Sequence, residues 1–288
     1  MTIHGSAHWR TVPSAVLADV VDAEPLQGGA VNDVWRLTLT DGSRTVLKCT
    51  AGELPGLYAH EAEGLRALSE RGGLRTPRVL EVSAVHLLME ALDQALPDGD
   101  GFWEATGRAV ADLHSVHGER FGWDSDGWLG LLPQENAWAT DGHAFFADRR
   151  ILRYVREPKV HGALDPGDLA GLERICDRLP ELVPAAPPVL NHGDLHQGNI
   201  VAGTHGEPVF IDPAVCWNWA ESELSMAYCL NPPPSRFFDA YQEVHPLQDG
   251  WQDRMELLHL RELLSAVAHF GAQDDWVPKI QATVRRFA

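Results

Sequence analysis

The stretch between residues 190 and 212 constrains the fold of this chain more than any other. It places His192, Asp194 and Asn199 close together, and a second carboxylate, Asp212, follows a short apolar run. A carboxylate can orient a hydroxyl and take its proton, while an Asn carbonyl and a second carboxylate are the hard oxygen ligands that Mg²⁺ prefers. A hairpin with ordinary turn aspartates is the alternative. We predict that Asp194 is a catalytic base and that Asn199 and Asp212 hold a metal ion.

Protein kinases have the same spacing in their catalytic loop, H-R-D-x-x-x-x-N, and a metal-binding Asp follows it. Gly193 stands where that pattern has Arg. The run from Val209 to Ile211 is typical of a buried strand, and Gly206 supplies the hairpin turn before it. Because phosphoryl transfer uses these same groups, we expect ATP as the cofactor and Mg²⁺ as the metal.

The composition indicates a globular protein with a sizeable core, since 44% of its 288 residues are hydrophobic. The 23 Lys and Arg against 41 Asp and Glu give a formal net charge of −18. This charge argues against a nucleic-acid partner and suits a cationic small molecule, although solubility alone would also explain it. No apolar run approaches the roughly 18 residues of a membrane span, and residues 1–6 lack a signal-peptide pattern, so we expect a cytoplasmic protein without a membrane partner. The four cysteines form no C-x-x-C pair, so neither zinc nor a disulfide framework is indicated.

A glycine turn upstream is the candidate phosphate-binding loop. Residues 14–23 have the apolar spacing of a helix, the turn follows, and strands are predicted over 34–39 and 44–49. The backbone N–H groups of such a turn can approach phosphates because no side chain blocks them, although a plain hairpin has the same appearance. The candidate nucleotide-binding residues of the turn are Gly28, Gly29 and Asn32.

Lys48 lies near the end of the second of these strands. In the kinase pattern such a lysine binds phosphates and pairs with a Glu on the next helix. Residues 58–68 predict that helix and offer two partners, of which Glu61 is the better candidate and Glu63 the other. Because the two lie about 200° apart around a helix, only one of them can face Lys48.

Two further strands, at residues 77–82 and 85–90, complete a small antiparallel sheet. The second strand ends at Met89 and Glu90. This is where a kinase hinge would offer backbone groups to an adenine ring, so we include both residues in the predicted nucleotide site.

The Pro-Asp-Gly segment at 97–101 is the clearest break in the chain. It predicts a nucleotide-binding lobe over residues 1–92 and a catalytic and substrate-binding lobe over residues 93–288. Residues 121–146 are rich in Trp and turn residues and are typical of binding loops. His114 is expected to be a core or helix-end histidine, because no acidic or cysteine residue lies at ligand spacing from it in the sequence. Helices are predicted over 103–114, 149–157, 169–179, 220–228 and 249–270.

With these motifs in place, the chain resembles fructosamine (ketosamine) kinases, within the aminoglycoside phosphotransferase group of kinase-like enzymes. The similarity extends over nearly the whole chain, and the Asp-Pro-Ala-Val run at 212–215 separates this family from its aminoglycoside relatives. It implies an α+β, bilobal protein-kinase-like fold, with an antiparallel sheet in a small N-terminal lobe and a larger, mainly helical C-terminal lobe. Besides the residues above, the matching positions include Asp112-Leu113-His114, Phe121-Gly122, Gly130, Gln134-x-Asn136-x-Trp138, Phe145-Phe146, Arg150 and Glu221-x-Glu223-Leu224-x-Met226.

The resemblance implies transfer of the γ-phosphate of ATP to a sugar hydroxyl of a ketosamine, a sugar joined to an amine. Three positions depart from the family pattern: His196 and Gly142 stand where Trp is usual, and Glu223 stands where Asp is usual. The candidate acceptor-binding residues are His196, Gln134, Asn136, Trp138, Trp217 and Glu221.

Two alternatives stay open. A kinase of the same fold could act on an aminoglycoside or another amino sugar, because the departures at His196 and Gly142 leave the acceptor undetermined. A kinase-like protein could instead bind a nucleotide without catalysis, which is disfavoured because every catalytic residue type is present. The sequence does not indicate an oligomeric state.

Overall fold

The computed structural model describes residues 8–26, 33–50, 54–92 and 99–288. Gly28, Gly29 and Asn32, and much of the predicted lobe boundary, lie outside these ranges. The strands are β1 (Val20–Pro25), β2 (Asp33–Leu39), β3 (Arg44–Cys49), β4 (Val79–Val82), β5 (His86–Glu90), β6 (Gly127–Leu129), β7 (Leu132–Gln134), β8 (Val189–Asn191), β9 (Ile200–Ala202), β10 (Pro208–Phe210) and β11 (Cys216–Asn218). The α-helices are α1 (Leu57–Glu70), α2 (Asp100–His114), α3 (Gly142–Phe146), α4 (Arg153–Val155), α5 (Pro158–Ala163), α6 (Pro166–Leu182), α7 (Ala220–Cys229), α8 (Ser235–Val244), α9 (Trp251–Leu258), α10 (Leu260–Phe270) and α11 (Trp276–Phe287).

The N-terminal part is an antiparallel sheet of five strands in the order β1-β2-β3-β5-β4. Successive residues of a strand point to opposite faces, and the two faces are covered differently. Leu87 and Met89 of β5 pack under α1, whereas Leu88 faces a second cluster that includes Trp9 and Leu37. Both faces of β5 are therefore buried, which explains why its sequence is a nearly continuous apolar run.

The rest of the chain is mainly helical and surrounds the largest hydrophobic core. Helix α2 lies against α8, and α7 lies against α9. Two short antiparallel ladders, β8 with β11 and β9 with β10, are largely buried within this part. They bring residues 191–199 beside residues 211–216, which positions the predicted catalytic stretch.

The prediction of a helix over residues 14–23 is wrong for the second half of that range. A 3₁₀ turn at Ala15–Asp19 leads directly into β1, which pairs with β2 from Val20 to Pro25 with an irregularity between Val20 and Asp22. The β-branched pair Val20 and Val21 suits this strand, and tertiary pairing overrode the helical spacing.

The long helix predicted over residues 249–270 is two helices that meet at His259. His259 has φ −70° and ψ −8°, a turn conformation that ends α9 and begins α10. The predicted loop at 121–146 contains the β6–β7 hairpin and α3, and the helix predicted at 149–157 begins as a π-helix (Ala147–Leu152) before α4. Helices α5, α8 and α11 were not predicted. Within the described ranges, no helix combines the length and apolarity that a membrane span requires.

Candidate active site

His192 joins the two halves of the predicted catalytic stretch. Its Nδ1 accepts the N–H of Asp194 at 3.3 Å, so the ring proton is on Nε2, which donates to the carbonyl of Ile211 at 2.9 Å. The side chain is fully buried, and burial lowers its pKa. A neutral histidine therefore ties Asp194 to the residue before Asp212.

Gly193 occupies a position that excludes other residues. Its φ is +83°, and a Cβ there would lie 1.9 Å from the carbonyl oxygen of Ala214. Only glycine fits this close backbone approach without displacing the backbone at Ala214. This geometry explains why Gly stands where the kinase pattern has Arg.

The carboxylate of Glu223 binds the backbone of the catalytic stretch at His192 and Gly193. It accepts the backbone N–H groups of His192 at 2.9 Å and Gly193 at 2.6 Å, and its Oε2 lies 3.0 Å from His114 Nε2. Burial alone would raise the pKa of Glu223, but the hydrogen bond and charge of His114, with the hydrogen bond from the Gly193 N–H, hold it below its ordinary value. The expectation that His114 is a core or helix-end histidine is confirmed, because the residue is fully buried at the end of α2. Its acidic partner, Glu223, lies 109 positions away in sequence and so could not be recognised from local spacing.

Asn199 lies against the predicted base. Its Nδ2 donates to the backbone carbonyl of Asp194 at 2.8 Å and to the Asp194 carboxylate at 3.1 Å. These bonds use only the NH₂ group, so they leave the Asn199 carbonyl oxygen available to a cation. Burial raises the pKa of Asp194, against the nearby charges of His196 and Arg261.

Lys48 bridges the sheet to the catalytic stretch. Val46 and Lys48 share the face of β3 that is covered by α1, and Lys48 Nζ lies 2.6 Å from Glu61 Oε1. It also contacts the carboxylate of Asp212, a residue held at φ +58°. Burial alone would lower the pKa of Lys48, but the charges of Asp212 and Glu61 raise it, so the ammonium stays charged.

Of the two candidate partners on α1, the structure pairs Glu61 with Lys48, while Glu63 accepts a hydrogen bond from Trp123 at 2.9 Å. At the end of β5, the carboxylate of Glu90 is bound by Arg75 at 2.5 Å and by the N–H of Arg78 at 3.1 Å. The Glu90 side chain is thus held by protein, and its backbone N–H donates to the Arg78 carbonyl at 2.9 Å. The contact of Met89 and Glu90 with a nucleotide stays a prediction.

A family model described as fructosamine kinase matches residues 6–287. The chain belongs to the fructosamine kinase family. It is 32% identical over 257 residues to a protein of Lactiplantibacillus plantarum assigned as a ketoamine kinase, covering 88% of this chain and 91% of the relative. A structure assigned as a fructosamine-3-kinase from Thermobifida fusca YX-ER1 is 34% identical and superposes with a TM-score of 0.84, covering 92% of this chain and 94% of that one.

The fold is shared more widely. A thermostable mutant of aminoglycoside phosphotransferase APH(4)-Ia superposes with a TM-score of 0.63 at 16% identity, covering 93% of this chain and 96% of that one. The expected α+β, bilobal protein-kinase-like fold is confirmed, with its antiparallel N-terminal sheet and mainly helical C-terminal part.

The structure shows the surroundings of Gly142 and His196, two residues that depart from the fructosamine kinase pattern. A Cβ on Gly142 would lie 2.6 Å from Phe121 Cζ and 2.7 Å from Trp219 Nε1, so the Trp219 indole occupies the space where a side chain would lie. His196 instead lies beside the base, with Nε2 4.0 Å from Asp194 Oδ2. Its Nδ1 accepts the N–H of Gly198 at 3.0 Å, so in the neutral ring the remaining proton is on Nε2, the nitrogen next to Asp194.

Gln134 and Asn136 do not fit the predicted contact with an acceptor. Both are buried, at 2% and 1% exposure, and their side chains are bound to protein. Gln134 donates to the carbonyl of Ala214 and accepts from Arg261, whereas Asn136 accepts from Arg150 at 2.8 Å. We assign both residues to supporting the loops rather than to the acceptor.

The other acceptor candidates keep partial exposure. Trp138 is covered on one side by Arg120, whose guanidinium lies 4.7 Å from the ring centroid, and Trp217 lies 6.1 Å from the Trp123 ring. Both carboxylate oxygens of Glu221 are bound by Arg254, at 2.5 and 2.6 Å. Their contact with an acceptor stays a prediction.

Sequence reasoning missed the buried polar residues that support the loop. Arg261 is 5% exposed, lies 2.8 Å from Glu262 and contributes positive charge near Asp194. The one signal available was the presence of Arg and Glu on the otherwise apolar face of an amphipathic helix, where such residues must be paired if they are buried.

Proposed function

We propose that the protein transfers the γ-phosphate of ATP to a sugar hydroxyl of a ketosamine. The observation that carries this proposal is the contact of Lys48 with both Glu61 and Asp212, which joins the sheet to the stretch that holds Asp194. This arrangement gathers phosphate-binding, metal-binding and base groups at one place, as phosphoryl transfer requires.

In this proposal each residue of the site has a separate task. Asp194 orients the acceptor hydroxyl and takes its proton, Lys48 binds the phosphates, and Glu61 holds Lys48 in position. The end of β5, at Met89 and Glu90, lies beside the adenine in this proposal. The glycine turn with Gly28, Gly29 and Asn32 covers the phosphates.

Asn199 and Asp212 would hold the metal ion. The free carbonyl of Asn199 and the carboxylate of Asp212 are hard oxygen donors, and this donor set fits Mg²⁺ better than a transition metal. When bound, the ion would neutralise charge on the phosphates. The ion pair with Lys48 already neutralises part of the charge of Asp212.

The acceptor is proposed to be a small cationic molecule, in keeping with the net charge of −18. We place the nucleotide lobe at residues 1–92 and the catalytic lobe at residues 93–288. We further propose a cytoplasmic protein without nucleic-acid or membrane partners. An aminoglycoside or other amino sugar is the second candidate acceptor, because His196 changes the surroundings of the base within 4.0 Å.

ADP release across a panel of ketosamines, aminoglycosides and simple amino sugars tests the proposal. We expect turnover with ketosamines to exceed turnover with the other two classes. The variant Asp194→Asn should keep nucleotide binding and lose about 10²- to 10⁴-fold in turnover, the usual contribution of a positioned base.

Two results would contradict the proposal. Faster turnover of an aminoglycoside would assign the chain to the second acceptor class, and near-normal turnover by Asp194→Asn would remove Asp194 from the role of base. Nucleotide binding without turnover of any acceptor would favour the non-catalytic alternative.

A further inference from the structure

The segment from residue 123 to residue 128, which we call the brace, reaches from the C-terminal part of the chain to α1 and the turn before it. The Trp123 indole is buried at 5% exposure, and the guanidinium of Arg71 lies 5.5 Å from its ring centroid. Three hydrogen bonds connect the brace to this region: Trp123 Nε1–H to Glu63 Oε1 at 2.9 Å, Trp128 Nε1–H to the Pro55 carbonyl at 3.2 Å, and Ser125 Oγ with His60 Nε2 at 3.0 Å.

These contacts lie on the opposite side of α1 from the nucleotide site. Glu61 faces Lys48 at 2.6 Å, and Glu63 faces Trp123 at 2.9 Å. Because the two carboxylates point about 200° apart around the helix, rotation of α1 in either direction breaks at least one of these bonds. The rotation of α1 is therefore fixed from both sides.

A third contact sets the distance of α1 from the catalytic stretch. A Cβ on Gly64 would lie 3.0 Å from Pro213 and 3.1 Å from Val215, so the helix backbone already approaches the residues after Asp212 closely. The C-terminal part thus limits the distance of α1 from the catalytic stretch and, together with Lys48 of the sheet, its rotation.

The brace is itself held rigidly by buried polar groups. Asn136 donates its N–H to the Asp126 carboxylate at 2.7 Å and its Nδ2–H to the Ser125 carbonyl at 3.3 Å. Arg150, which is 1% exposed, donates to Asn136 Oδ1 at 2.8 Å. The two family-pattern residues Asn136 and Arg150 thereby support the segment that contacts α1.

We propose that the brace keeps α1 in the orientation that pairs Glu61 with Lys48, and that Glu63 and Trp123 are positioning residues for nucleotide binding. The consequence for turnover rests on the proposed function.

The variants Glu63→Ala and Trp123→Phe test the brace. We expect each to weaken ATP binding about 2- to 10-fold, the range for loss of one hydrogen bond, and to raise the KM for ATP while the KM for the acceptor stays constant. Glu63→Gln should restore binding, because its amide oxygen still accepts from Trp123. The control is Glu70→Ala, at the exposed end of the same helix, which should bind ATP as the wild type does.

A double-mutant cycle decides whether Glu63 acts through Glu61. In a Glu61→Ala background, or Glu61→Gln if the first variant folds poorly, Glu63→Ala should have little further effect on ATP affinity. An equal loss of affinity in both backgrounds would overturn the proposal, as would a fall in thermal stability with unchanged ATP affinity. Calorimetric titration of ATP without an acceptor keeps this result separate from the question of which sugar is phosphorylated.

Discussion

Glu223 shows how much one side chain can contribute to the catalytic loop. It accepts two backbone N–H groups of the loop and a third hydrogen bond from His114, and all of these groups are buried. Hydrogen bonds to a charged acceptor are stronger than those between neutral groups, and a buried donor left without its acceptor is costly. Glu223, which stands where the family usually has the shorter Asp, thus orients the backbone of His192 and Gly193.

Replacing Glu223 with Gln should lower the free energy of unfolding by about 1.5–3 kcal/mol at pH 7, because charged hydrogen bonds are lost. The pKa of Glu223 lies lower in the folded protein than its ordinary 4.5. A carboxyl of this kind contributes stability that is complete above its unfolded pKa and is lost as the pH falls through the folded pKa. The difference between the two proteins should therefore shrink as the pH falls below 4.5.

Urea denaturation of both proteins, followed by circular dichroism at neutral and acidic pH, measures this difference. The control is Glu119→Gln, at an exposed position, which should unfold like the wild type at each pH. A constant difference across the pH range would show that the ionised carboxylate is not the source of the stabilisation.

At the scale of elements, the contact between α2 and α8 shows why a helix missed in the sequence is still essential. A Cβ on Gly107 in α2 would lie 2.2 Å from the carbonyl oxygen of Phe237 in α8. Glycine at this point lets two helix backbones approach closely, and His114 at the end of α2 then meets Tyr241 of α8 at 2.7 Å. The orientation of His114, and through it that of Glu223, depends on this packing.

The substitution Gly107→Ala should destabilise the protein by about 1–3 kcal/mol, since the added methyl forces the two helices apart. Gly101→Ala, in the first turn of the same helix, meets nothing within 4 Å and should be neutral or stabilising by up to about 1 kcal/mol. Comparing the thermal and urea unfolding of these two variants separates the effect of helix packing on stability from the effect of helix propensity. Equal stabilities of the two variants would contradict the close approach of α2 and α8.

At the scale of the whole molecule, the N-terminal sheet contacts the C-terminal part at the site through a pair of charged groups, while Ala67 and Leu68 of α1 are buried in the largest hydrophobic core. Lys48 and Asp212 lie 164 positions apart and are in contact. A nucleotide and metal bound beside them would add further links between the two parts, and any ligand that binds only the folded state stabilises it.

We expect ATP with Mg²⁺, at about 100 times its dissociation constant, to stabilise the wild type by roughly 2.7 kcal/mol. Removing the metal with EDTA should reduce this stabilisation. Asp212→Asn is the informative variant, because Asn tolerates the positive φ of +58° at this position but lacks the carboxylate charge. Its nucleotide-induced thermal shift should respond much less to EDTA, and a response equal to that of the wild type would remove Asp212 from the metal site.

The sequence alone determined the local conformations and the chemistry. The strand predicted over residues 44–49 placed Lys48 in a sheet, and the spacing of Asp194, Asn199 and Asp212 indicated their chemical roles. These features depend on neighbours within a few residues, where backbone geometry leaves few choices. The same locality explains the errors at residues 14–23 and at His259, where pairing and packing overrode a helical pattern.

Only the tertiary structure decided which groups meet across long separations. It paired Glu61 rather than Glu63 with Lys48, placed Glu223 under the loop, and moved Gln134 and Asn136 from the acceptor to the supporting network. A buried charge or amide must find a partner, but nothing near it in the sequence says which one. The partner is fixed when the whole chain packs, as it is for His114 and Glu223 across 109 positions.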